Sequence, residues 1–91
     1  MKTIWKFPLK IADRQEVAMP VDAKALTVQL QGGVPCLWAL VDSGNPPKQY
    51  PVWMHGTGHD ATDASYMGRY LSTIQIKGGA LIFHFFIQDG A

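Results

Sequence analysis

Leu81-Ile82-Phe83-His84-Phe85-Phe86-Ile87 is the stretch that decides how this chain folds. In an extended strand, successive side chains point to opposite faces, so Leu81, Phe83, Phe85 and Ile87 share one face while Ile82, His84 and Phe86 share the other. Both faces are apolar apart from His84, which predicts a buried strand needing cover on both sides. Arg69 to Ile76 reads as its partner strand, and Lys77-Gly78-Gly79 between them supplies the positive φ angles of a tight reversal.

The same reading extends toward the amino terminus. Thr3 to Phe7 alternates and is closed by Pro8, which lacks the N–H for a further ladder bond; Gln15 to Met19 is stopped by Pro20 in the same way. Ala25 to Gln31 places Leu26, Val28 and Leu30 on one face and Thr27, Gln29 and Gln31 on the other, the pattern of a half-exposed strand. Gly32-Gly33 turns it into Val34 to Val41, apolar on both faces and therefore expected in the middle of a sheet or under an oligomer contact. A strand from Gln49 to about Thr57 follows the Asp42 to Pro47 loop, with Pro51 requiring an edge or a strand start. Gly58 to Ala64 is polar and long enough for one helical turn. Six or seven short strands with glycine turns predict an all-β fold over residues 1–91, a small antiparallel β-sandwich or partly open barrel in a single domain.

Composition bounds the function. A chain of 91 residues hides about 60–65% of its unfolded surface, so the core is modest. Hydrophobic residues make up 47% and charged residues only 16%, and this shortage of charge together with an aromatic surplus favours a homo-oligomer or a partner-binding face. Three tryptophans are present, and the core is expected to take at least two, since each removes about 200 Å² from water. Net charge is +1 and the Lys and Arg residues form no run, which argues against a groove that tracks long nucleic acid. Cys36 is the lone cysteine and lies in an apolar strand, as a buried thiol would. No apolar run has the length of a signal peptide or a membrane span, so the expected location is the cytoplasm of whichever cell makes the protein.

Four segments read together carry a resemblance: Met1-Lys2-Thr3-Ile4-Trp5-Lys6, Val34-Pro35-Cys36-Leu37-Trp38-Ala39-Leu40-Val41, Gly56-Thr57-Gly58-His59 and Gly78-Gly79-Ala80-Leu81-Ile82-Phe83-His84. Over nearly its whole length the chain resembles an uncharacterised family of short proteins in tailed phages, prophages and bacteria. The resemblance implies a phage or mobile-element accessory protein, whose expected location, if phage-encoded, is the cytoplasm of the bacterial host, and it brings no assigned activity or site residues.

Among the residues themselves, Gly56-Thr57-Gly58-His59 is the leading candidate for a site. Its glycines let a ligand approach backbone N–H groups, Thr57 adds a hydroxyl, and His59 offers a group that titrates near neutrality. Trp53 and His55 share one strand face just before it, so a base stacked on Trp53 would set its phosphates near Gly56 to Gly58. The plainer alternative is a glycine-rich strand exit whose Thr57 and His59 satisfy their own loop, with Trp53 in a dimer interface. The segment is no P-loop, because the Lys-Ser/Thr pair is missing. His55, His59 and His84 lack metal-ligand spacing, no cofactor is implied, and Cys36 sits in the wrong setting for a nucleophile. The expectation is binding rather than catalysis: ligand-binding residues Trp53, His55, Thr57, Gly58 and His59 taking a nucleotide-type signal of host immunity. The alternative is an interaction module that blocks a host protein or serves in particle assembly.

Overall fold

The computed structural model describes residues 1–62 and 64–90. Seven strands are present among them: β1 (Lys2–Pro8), β2 (Arg14–Pro20), β3 (Lys24–Gln31), β4 (Val34–Asp42), β5 (Pro47–Gly56), β6 (Arg69–Ile76) and β7 (Leu81–Ile87), with one 3₁₀ turn at Ala64–Met67. Every pairing is antiparallel. One sheet has the order β1-β4-β3 and the other β2-β5-β7-β6, so the fold is an all-β sandwich and not a closed barrel. Asp63, within the loop expected from Gly58 to Ala64, lies outside the described residues.

Both glycine turns form where the sequence places them. Gln31 pairs with Val34 across Gly32-Gly33, and Ile76 pairs with Leu81 across Lys77 to Ala80. Between the sheets, Val28, Leu37, Ala39 and Val41 of the three-stranded sheet meet Met19, Tyr50, Val52, Phe85 and Ile87 of the other, all buried. Tyr50 is the largest fully buried side chain, and its phenol is satisfied: it donates to the Pro20 carbonyl at 2.8 Å and accepts from the Ala23 N–H at 3.3 Å.

Several sequence expectations change in detail. The tryptophans do not fill the core: Trp5 is 41% exposed, and Trp38 and Trp53 are half-buried. In a two-layer sandwich this small, the interior is one side chain deep on each sheet, and Val, Leu, Met and Ala fill it without stranding an indole N–H. On β7, Phe85 and Ile87 are fully buried and Phe83 is half-buried. Ile82, His84 and Phe86 face outward and are covered only partly, by side chains of their own sheet rather than by another layer. In β3 a bulge at Leu26 breaks the alternation, so Ala25 and Val28 both point inward and Leu26 is exposed, while Leu30, on the Val28 face, is exposed near the strand's end. Pro51 lies on an interior strand, opposite Gln88 and just past the end of β7, so its missing N–H removes only a bond at the ladder's end.

The sandwich is closed on one side and open on the other. Along the closed side, the free edge of β3 meets β6: the Val28 N–H donates to Ser72 Oγ at 2.7 Å, and Arg69 Nη2 donates to the Ala25 carbonyl at 2.6 Å. Arg69 also grips Asp89 through two nitrogens, Nε at 3.0 Å and Nη2 at 2.5 Å, and the Ala25 N–H reaches Asp89 Oδ2 at 3.3 Å. The Asp89 side chain is only 1% exposed, so this charge is buried and paired. On the opposite side β1 and β2 are free edges.

Candidate functional site

Strand register assembles the outer face of the four-stranded sheet. Arg14 of β2, Trp53 of β5, Phe86 of β7 and Tyr70 of β6 form one cross-strand row, and His55, His84 and Thr73 form the next. Residues directly opposite on one face are in contact range, so polar and aromatic side chains far apart in sequence become neighbours. Tyr70 meets Phe86 edge-on with ring centroids 5.8 Å apart, and Tyr66 of the 3₁₀ turn meets Trp53 the same way at the same distance. The Arg14 guanidinium lies 5.2 Å from the Trp53 ring centre, a cation–π contact, while its Nη2 donates to Glu16 at 2.7 Å.

Beside Trp53 is a cavity of about 330 Å³ lined by Asp13, Arg14, Trp53, His55, His59, Asp60 and Tyr66 together with Met54 and Met67. His55 Nε2 lies 3.0 Å from the His59 carbonyl, which can only accept, so this nitrogen carries the proton. The His55 and His59 rings stand edge to face, 6.1 Å apart. Hydrogen bonds from the Thr62 hydroxyl and then the Thr62 N–H hold the Asp60 carboxyl below its ordinary 3.8, with a smaller contribution from His55. Asp60 is thus an acceptor at neutral pH.

Gly56 serves the site by sterics, and Gly58 by its positive φ. Gly56 is buried with the His59 imidazole laid against it, and a Cβ there would stand 2.8 Å from His59 Cε1, so only glycine permits this packing. Thr57 turns away from the Trp53 cavity. Its hydroxyl lies 2.7 Å from His84 Nε2, His84 Nδ1 lies 2.8 Å from Thr73 Oγ1, and Thr73 Oγ1 lies 2.7 Å from the Tyr70 hydroxyl. Both nitrogens of His84 are therefore engaged. Gly56, Thr57 and His59 line a second cavity of about 200 Å³ with Ala80 to Phe83, and His59 is the wall between the two.

Of the five residues singled out in sequence, Trp53, His55 and His59 converge on one cavity, Thr57 lines its neighbour, and Gly58 lines neither. Arg14, Asp13, Asp60 and Tyr66 were not singled out. Arg14 and Asp13 reach the cavity only through the pairing of β2 with β5, which no local pattern encodes. A crevice of about 370 Å³ lies elsewhere, on the other sheet, but it holds no aromatic ring and no imidazole. The Trp53 cavity is the better candidate because it combines a stacking surface with charged and imidazole groups. Among the described residues, no three His, Cys, Asp or Glu side chains converge to hold a metal ion, and no helix is long and apolar enough to cross a membrane.

The class defined by this architecture is an antiparallel two-sheet sandwich with a polar and aromatic corner on its four-stranded face. The chain belongs to the family described as Domain of unknown function (DUF7352), whose profile matches residues 1–91. The match is thus to an uncharacterised domain and not to a catalytic family. No curated protein and no solved structure matches the chain.

Proposed function

We propose that this is a binding protein whose working site is the Trp53–His55–His59 corner and whose ligand is nucleotide-like. One observation carries the reading: Trp53 stands half-exposed on the sheet face, flanked by the Arg14 guanidinium and the Tyr66 ring, at the mouth of a cavity with two imidazoles and two carboxylates. A base stacks on Trp53, ribose hydroxyls donate to Asp60, and a phosphate draws Arg14 from its exposed pair with Glu16, which costs little to break. In this reading Gly58 acts only in the turn, and Thr57 positions His84.

The setting we propose is that of a phage or mobile-element accessory protein that sequesters a nucleotide-type signal of host immunity, consistent with the resemblance of its four segments. Self-association belongs to the same proposal, with the exposed Val34 and Leu40 of β4 in the contact face. A thermal-shift screen of the purified protein against cyclic oligonucleotides, ADP-ribose derivatives and nucleosides tests the ligand class. A concentration-dependent rise in Tm for at least one of them is expected; a flat response across the panel would end the proposal.

A further inference from the structure

The two free edges of the sandwich differ in chemistry. In the β1–β4 ladder, Ser43 N–H donates to the Met1 carbonyl and Leu9 N–H donates to the Pro35 carbonyl, so odd-numbered residues of β1 bond to β4. The alternation of an antiparallel ladder then aims the N–H and C=O groups of Lys2, Ile4 and Lys6 outward. No other strand or side chain takes them up among the described residues. The edge of β2 is blunted instead: Pro20 has no N–H, and Arg14 and Glu16 neutralise each other. The outer edge of β3 is capped by Ser72, Arg69 and Asp89.

Beside the open edge of β1 runs an apolar groove of about 180 Å³ between the two sheets, walled by Trp5, Phe7, Met19, Pro20 and Pro47. Trp5 and Phe7 face it, with rings 6.4 Å apart. Ile4, on the other face of β1, is 56% exposed. The outward-bonding positions carry Lys2, Ile4 and Lys6, and neither lysine forms a direct salt bridge among the described residues: Lys6 donates to the neutral Gln31 amide at 2.6 Å, and Asp42, opposite Lys2, bonds the Met1 ammonium and feels Lys2 only as its weakest neighbouring charge. A second copy fully overlapped on β1 and centred on Ile4 would set Lys2 opposite Lys6 twice, which is unfavourable for like charges.

From this charge pattern we infer that β1 is a docking edge for an extended segment of another protein with the pattern acidic–apolar–apolar–apolar–acidic. The segment adds antiparallel to β1, with main-chain bonds to Lys2, Ile4 and Lys6. Its end carboxylates meet Lys6 and Lys2, its central side chain covers Ile4, and of the two between, on the Trp5 face, the one opposite Trp5 lies over the groove. This site is separate from the Trp53 corner and stands independently of the ligand proposed there.

The test is fluorescence anisotropy of the full chain with a labelled nonapeptide centred on Glu-Val-Ile-Val-Glu, its scrambled form, and a version with Lys at both ends. The acidic peptide is expected to bind at least tenfold tighter than either control. Ile4→Pro removes an outward N–H and the isoleucine side chain that the segment covers, leaves the β4 ladder, and should cost tenfold or more. Lys2→Glu/Lys6→Glu leaves the backbone untouched and should invert the preference toward the lysine peptide, so the charge argument is tested even if Ile4→Pro fails to fold. Equal binding of the three peptides, or an unchanged preference in the double variant, overturns the inference. So does sedimentation showing that this edge is already occupied by a second copy with which the acidic peptide does not compete.

Discussion

At the scale of single residues, burial separates those that hold the fold from those placed to act. Phe85 is 0% exposed at the centre of the core, whereas Phe83, on the same face of β7, is half-buried. Phe85→Ala is therefore expected to cost about 3–5 kcal/mol through the cavity it leaves, and Phe83→Ala less, as measured by urea denaturation. Arg69→Leu should cost a similar amount, about 3–5 kcal/mol, because it strips the guanidinium from the buried Asp89 carboxylate and frees the Ala25 carbonyl. His59 is exposed, and its replacement by Ala should change stability by no more than about 0.5 kcal/mol. Loss of the whole fold in His59→Ala would make His59 a structural residue and remove it from the site. Asp60 obeys the linkage rule for a lowered carboxyl: the Thr62 contacts are fully present above its ordinary 3.8 and are lost as pH falls through the lower value.

At the scale of elements, the turns and ladders were the most legible part of the sequence. Gly32-Gly33 and Gly78-Gly79 mark their hairpins because few other residues accept the backbone angles those reversals need. What stayed hidden was set by partners distant in sequence. The bulge at Leu26 goes with the edge of β3 being capped by β6, and Pro51 is tolerated inside β5 only because β7 ends beside it. Gly68, before β6, shows how tightly these elements meet: its φ is +87°, and a Cβ there would fall 2.2 Å from the Ile87 carbonyl oxygen. Gly68→Ala should accordingly lower Tm markedly, since β6 must shift off β7, while Gly44→Ala on an exposed loop, whose φ is unremarkable, should leave Tm nearly unchanged.

At the scale of the whole molecule, the all-β class and both glycine hairpins followed from local pattern, whereas strand order and the division into two sheets came from the packing of non-neighbours. The candidate site divides along the same line. Trp53, His55 and His59 were legible because they lie within seven residues of one another around a strand exit. Arg14 and Tyr66 were not, because β2 and the 3₁₀ turn reach Trp53 only in the folded sandwich. Apolar side chains line the interior, and the outer face of the four-stranded sheet is left half-covered with aromatic and imidazole groups in register; that face is where we place ligand binding. The direct test is isothermal titration calorimetry of a ligand from the nucleotide panel with wild type, Trp53→Ala and Trp5→Ala. Trp53→Ala is predicted to lose about 1–3 kcal/mol of binding free energy, the worth of one stacked base, while Trp5→Ala binds as wild type does. Equal affinity in Trp53→Ala, or an equal loss in both variants, would contradict the placement of the site.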